Sequence, residues 1–221
     1  MNDNLGLLLT MTEPSPANED EFNAWYDNEH ILERLSVPGF LSARRWVADL
    51  PSGQGKYLAT YELVSPSVLE TPEYLSHLGE GQTPWSKRML GDCVVFRRWA
   101  CEQVNPGDAQ PPSMSHALFV AIGDVPVEWE DEFNRWYDEE HLHLLAAVPG
   151  VQRARRFRDP RGHPRYIALY DLEDAAVVQH PAWKKALATD WTRRIQEITK
   201  GQEWILRVYR SYVPRHPGVG A

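Results

Sequence analysis

The sequence predicts an α+β protein: two halves of β-α-β-β-α-β order whose antiparallel sheets pack into one barrel within a single chain. Three observations predict it. A long segment of the first half is repeated in the second. Both halves alternate short apolar runs with helix-forming stretches in the same order. The first apolar run of each half has almost no polar side, as a strand covered on both faces requires.

The repeat is EDEFNAWYDNEH (19–30), which returns as EDEFNRWYDEEH (130–141). Its exit is repeated too: VPGFLSARRW from Val37 becomes VPGVQRARRF from Val148. Between 19–46 and 130–157, 16 of 28 positions are identical, at an offset of 111 in a chain of 221 residues. Self-similarity at half the chain length reads as a duplication. The expected domains are a first half over 1–104, a Pro-rich polar linker over 105–115 (NPGDAQPPSMS), a second half over 116–214 and a C-terminal tail over 215–221.

In chain order, LGLLLTM (5–11) and HALFVAI (116–122) are expected to open the halves as buried strands. The repeated motif follows as a helix. Asn18 is a candidate N-cap, and Glu19, Asp20 and Glu21 suit the positive end of the helix dipole. Pro38-Gly39 and Pro149-Gly150 stop the two helices. Strands are expected over 40–48 and 151–158, then turns at 51–55 and 159–163, across which the offset between the halves drops from 111 to 109. Strands over 56–64 and 165–172 carry matched tyrosines, Tyr57 with Tyr166 and Tyr61 with Tyr170. Further helical regions are expected over 67–78 and 175–188, with short helical turns at 84–90 and 191–199. Each half closes on a strand, 92–104 and 203–214. This is the ferredoxin-like order, in which one sheet face is covered by helices and the other is left for a second sheet.

Bulk composition narrows the partners. The chain is 43% hydrophobic and 24% charged, with formal net charge −8, which argues against nucleic acid or an anionic membrane surface as the main partner. The start MNDNLGLLLTM lacks a basic stretch and does not read as a signal peptide, and no apolar run approaches a membrane span. Cys93 and Cys101, eight residues apart on one strand, would lie roughly 26 Å apart, too far for a disulfide. Two reduced thiols suit a cytoplasmic protein.

The motif also carries chemistry. On a regular helix, Phe22, Trp25, Tyr26 and Glu29 share one face with His30 at its edge, while Asp27 and Asn28 point away. Phe133, Trp136, Tyr137, Glu140 and His141 repeat the arrangement. A carboxylate among aromatic rings needs a partner or a raised pKa. One arginine of each pair, Arg44 or Arg45 and Arg155 or Arg156, is the natural partner, because neighbours on a strand point to opposite faces. His30 and His141, poised near neutral pH, with Tyr26, Tyr137, Glu29 and Glu140, are the candidate acid–base groups. Trp25 and Trp136, with the four arginines, are the candidate substrate-binding groups. A packing role explains part of this pattern equally well. Phe22 and Trp25 read as core, the Pro-Gly pairs as helix stops, Glu29 and Glu140 as ion-pair members, and the histidines as helix-dipole partners. Asp27 and Asp138 read as solvent-facing. The second half adds His143 to His141, but that spacing spreads the side chains around a helix, and no metal site is expected.

Tandem ferredoxin-like halves, each with an aromatic first helix ending in Glu-His and then Val-Pro-Gly, resemble the dimeric α+β barrel superfamily. The pattern FNxWYDxEH…VPG…ARR is most similar to its EthD-like branch. In most such families two chains pair; here the resemblance implies that one chain supplies both halves, as an intrachain pseudo-dimer that is a monomer or a homodimer. The superfamily includes cofactor-independent quinone-forming monooxygenases, muconolactone-type isomerases and polyketide cyclases, with a pocket between the helices and sheet of one half. The resemblance therefore implies a cofactor-independent enzyme (isomerase, cyclase, lyase or oxygenase) acting on a small aromatic, lactone or polyketide-like molecule. Tyr26, Glu29 and His30, and their copies, would face the pocket. The alternative is a non-catalytic small-molecule-binding or stress-related barrel. Branches that bind haem, such as chlorite dismutase and dye-decolourising peroxidases, have ligand contexts that nothing here matches, so neither haem nor a metal ion is expected.

Overall fold

A computed structural model describes residues 4–214; the expected tail, 215–221, lies outside the described residues. The described chain forms two compact units. One comprises 4–102 with 212–214, and the other comprises Gln103–Ser211.

In the first unit, β1 (Gly6–Pro14) pairs antiparallel with both β3 (Tyr57–Leu63) and β4 (Cys93–Asn105), and β2 (Phe40–Val47) pairs with the other edge of β3. Every residue of β1 and of β3 is buried, which is why neither run shows polar alternation. Between β1 and β2 runs one long helical rod: α1 (Glu19–Trp25), a π-helical turn (Tyr26–His30) and α2 (Ile31–Ser36). The rod stops where expected. Gly39 has φ +98°, a left-handed value that a Cβ disfavours, and a Cβ there would also meet a Val68 methyl at 2.5 Å.

The second helical region is interrupted by proline. A 3-10 turn (Pro66–Glu70) gives way to α3 (Pro72–Leu75), because Pro72 suits a first helical position and forces Thr71 into an extended conformation. Then α4 (Pro84–Gly91) leads into β4. Its N-cap is Thr83, whose hydroxyl accepts from the Ser86 N–H. Both cysteines lie at β4 and form no disulfide.

The second unit repeats this order. Its sheet runs β8-β5-β7-β6, with β5 at Ala117–Gly123, β6 at Val151–Arg158, β7 at Tyr166–Leu172 and β8 at Trp204–Ser211. The helical rod is α5 (Glu130–Trp136), a second π-helical turn (Tyr137–His141) and α6 (Leu142–Ala146). Next come a 3-10 turn (Ala175–Gln179), α7 (Pro181–Ala186) and α8 (Asp190–Ile198). Each unit has its own core. Phe22, Trp25, Tyr26, Tyr61 and Met89 anchor the first; Phe133, Trp136, Tyr137, Trp183 and Ile195 anchor the second.

The segment read as a linker, 105–115, is held rather than loose. The buried Gln103 side chain accepts from the N–H of Gly107 and Ala109 and donates to the Ala109 carbonyl at 2.9 Å. Further along, Ser115 donates to Asp171 at 3.2 Å.

Candidate functional site

The π turns decide where the motif side chains point. In each rod one N–H reaches back five residues: Ile31 to the Tyr26 carbonyl and Leu142 to the Tyr137 carbonyl. One extra residue in the turn breaks the regular spacing, and such turns occur frequently at functional sites. Glu29 still reaches Trp25 and His30 still meets Tyr26, as expected from a regular helix, whereas Asp27 departs from that expectation.

Asp27 does not face solvent. Its side chain is 3% exposed, its Oδ1 lies 3.1 Å from Arg45 Nη1, and its Oδ2 accepts from the Tyr212 hydroxyl at 3.1 Å. Glu29, in turn, takes no arginine as its partner. Its Oε1 accepts from Thr83 at 2.6 Å, from Ser86 at 3.2 Å and from the Trp25 indole at 3.2 Å. Glu140 likewise accepts from Thr189 at 2.7 Å. Thr83 and Thr189 are the N-caps of α4 and α8, so the two glutamates tie the helical rods to the last helix of each unit. This explains their repetition without catalysis. Replacing Glu140 by Gln keeps an acceptor for Thr189, and is expected to change stability by under about 1 kcal/mol in a denaturant melt while leaving ligand binding intact.

The arginine pairs divide by sheet face. Arg45 lies on the helix side, 4.2 Å from the Tyr26 ring and 4.0 Å from the Tyr212 ring, and donates to Asn23 at 2.7 Å. Arg156 sits 4.2 Å from the Tyr137 ring and 4.6 Å from the Tyr166 ring, and donates to Asn134 at 2.7 Å. Burial lowers its pKa, while Tyr137, Tyr166 and Asp138 act the other way. On the opposite face Arg155 pairs with Asp171 at 3.1 Å, both almost fully buried. Arg44 is half-buried and engaged with other groups. The helix-side environment thus belongs to Arg45 and Arg156, the members of the two pairs that face the motif.

The histidines are also corrected. His30 lies against Trp25, ring centres 4.3 Å apart, and His141 stacks on Trp136 at 3.9 Å. Neither titrates near neutrality. Burial drives the His141 pKa down to about 3, with Arg156 adding to it; burial, then Arg34 and Arg45, push His30 well below its usual value. Both imidazoles are therefore neutral at physiological pH. Nδ1 of His141 is buried and makes no hydrogen bond within the described chain. His143 is exposed, and no cluster of three potential metal ligands occurs among the described residues.

Of the motif residues, Trp136, Tyr137 and His141 line a cavity of about 420 Å³ in the second unit, within the range of about 300–1,000 Å³ common for small-molecule pockets. Its inner walls are Phe119, Trp136, Tyr137, His141, Tyr170 and Trp204. Its mouth carries the exposed side chains of Leu187, Gln196, Lys200, Gln202 and Leu206. Burial pushes the Tyr137 hydroxyl up to about 12, and burial with neighbouring Tyr137 raises Tyr170 further. The Tyr170 hydroxyl, like His141 Nδ1, is buried without a hydrogen bond in the described chain. Tyr170, Trp204 and Lys200 were missed by sequence reasoning; the Tyr61–Tyr170 match was the available signal for the first.

The first unit differs at this place. Arg34 stands where the second unit has the cavity-lining Leu145, bringing a buried cation close to His30 and Tyr61. By sheet register Trp204, paired with Gly123, corresponds to Phe96, paired with Thr12; fifteen positions separate Thr189 from Trp204 and thirteen separate Thr83 from Phe96. The second unit therefore carries two more residues between the cap and the matched strand position, and Lys200, Gly201 and Gln202 of that stretch line the cavity.

No family model matches the chain. Over 178 residues it is 26% identical to a protein of Schizosaccharomyces pombe described as "Probable acid phosphatase", covering 78% of this chain and 36% of that one. Over 75 residues it is 35% identical to core atranone cluster protein 1 of Stachybotrys chlorohalonatus, covering 33% of this chain and 32% of that one. The chain thus spans about a third of the length of the curated relatives it matches. Among solved structures, an anthrone oxidase-like protein superposes with TM-score 0.66 at 14% identity, covering 99% of this chain and 97% of that one. A chlorite dismutase variant from Candidatus Nitrospira defluvii gives 0.62 at 9% identity (96% and 93% covered). A ferredoxin fold protein of Listeria monocytogenes related to antibiotic biosynthesis monooxygenases gives 0.53 at 9% identity (96% and 97% covered). Among the described residues no helix is long and apolar enough to cross a membrane. The chain has the ferredoxin-like α+β barrel fold of these proteins.

Proposed function

We propose that the chain is a small-molecule enzyme of the monooxygenase-like barrel type, arisen by tandem duplication within the EthD-like branch, with its working site in the second unit. One observation carries this reading. In a cavity walled by aromatic rings, two buried polar atoms, His141 Nδ1 and the Tyr170 hydroxyl, have no partner within the described chain. Unpartnered buried polar groups are costly, and a ligand that bonds them recovers that cost. A flat phenolic or enolic ligand fits, with His141 accepting the proton of its acidic group and Tyr170 donating to the adjacent oxygen. Apolar walls favour a neutral pair of groups, as both are at pH 7.

The likeness to an anthrone oxidase-like protein supports oxygenation among the possible reactions. In that reaction an activated methylene loses a proton, and dioxygen converts CH₂ to C=O with release of water. Binding without turnover is the second reading, and the low proton affinity of His141 favours it.

Anthrone is a direct probe. Its binding is expected to quench the fluorescence of Trp136 and Trp204, and turnover to consume one dioxygen per molecule oxidised. His141→Phe keeps the stack on Trp136 and is expected to lower kcat at least 100-fold with the melting temperature little changed. Because His141 stays neutral, kcat/KM is expected to be flat from pH 5 to 8. Binding without oxygen uptake would select the second reading, and a variant as fast as wild type would remove His141 from the chemistry.

A further inference from the structure

The mouth of the cavity differs in character from its interior. Lys200 lines it and is exposed, and its ammonium forms no ion pair or hydrogen bond among the described residues. Gln196 and Gln202 line the same mouth, and their amides are likewise unengaged. Basic neighbours on α8 are already committed, Arg193 to Asp190 and Arg194 to Glu132. The nearest carboxylates in sequence, Glu197 and Glu203, are not among the lining residues. Lys200 and Gln202 lie in the stretch between α8 and β8, which is two residues longer than its counterpart in the first unit.

A chain of net charge −8 repels anions as a whole, which makes one uncommitted ammonium at a cavity mouth a local exception. The cavity is thus polar at both ends and apolar between them: His141 and Tyr170 inside, Lys200 with two amides at the mouth. We propose that the ligand is a flat aromatic acid, entering ring-first with its carboxylate held at the mouth by Lys200 and the Gln196 and Gln202 amides. This rests on the second-unit cavity being the binding site and adds the ligand's charge and direction of entry.

The test compares anthraquinone with anthraquinone-2-carboxylate, titrated against the full chain and read by tryptophan fluorescence. Wild type is expected to bind the carboxylate about tenfold more tightly, with the advantage shrinking as salt rises. Lys200→Met should abolish the advantage and Lys200→Glu should reverse it; Lys200 is exposed, so neither threatens folding. Equal affinity of wild type for the two probes, or an advantage that survives Lys200→Met, would overturn the proposal while leaving the cavity as the site. Failure of both probes to bind would overturn the site itself.

Discussion

Replacing Arg45 by Met is expected to cost about 3–5 kcal/mol, the usual result of leaving one half of a buried ion pair behind. Asp27 is the stranded partner. Its carboxylate is buried and would keep only the Tyr212 hydroxyl, while Asn23 would lose its guanidinium donor. In a chain of this size the loss corresponds to a fall in melting temperature of roughly 6–20 °C. The double variant with Asp27→Asn removes the stranded charge and should recover a large part of the stability. The equivalent change in the second unit, Arg156→Met, should cost less. Asp138 is 52% exposed and 3.9 Å from Arg156, so water can solvate it once the arginine is gone. Equal losses at the two sites in chemical denaturation would show that burial of the carboxylate is not what sets the cost.

The second large effect is acid destabilisation through His141. Its pKa is about 3 in the folded chain against 6.5 in an unfolded one, so between those values the unfolded state binds the extra proton. The neutral imidazole therefore contributes stability that is fully present above pH 6.5 and is lost as pH falls from there towards 3. The whole contribution is roughly 5 kcal/mol at most, of which about 2 kcal/mol should be gone at pH 5. His30 shifts in the same direction, so His141→Phe should flatten the decline without removing it. Denaturant midpoints at pH 7.5 and pH 5 measure the difference. Parallel declines in wild type and variant would rule out His141 as the source.

Element order was legible because apolar runs, Pro-Gly stops and the repeat are local signals. The π turns were not. An N–H reaching back five residues leaves no mark in composition, and it accompanies the inward turn of Asp27 to Arg45 that regular spacing did not announce. Tyr212 was hidden for another reason: it lies 167 positions from Arg45, and only the folded chain brings its ring to that guanidinium. The neutrality of His30 and His141 depends on burial and on arginines from other elements, which motif spacing does not report. The cavity left one visible trace, the longer stretch between α8 and β8, which reads as an ordinary loop until Lys200 and Gln202 are seen to line a pocket.

The place of Tyr212 in the first unit also bears on how the protein is made. A ribosome delivers Asp27 and Arg45 before the second unit and Tyr212 after it, so any Asp27–Arg45 pairing formed while the second unit is being made lacks one wall. The unit that emerges first is completed only after the second has been made, and its final locking coincides with the arrival of Tyr212 rather than with the end of its own first hundred residues.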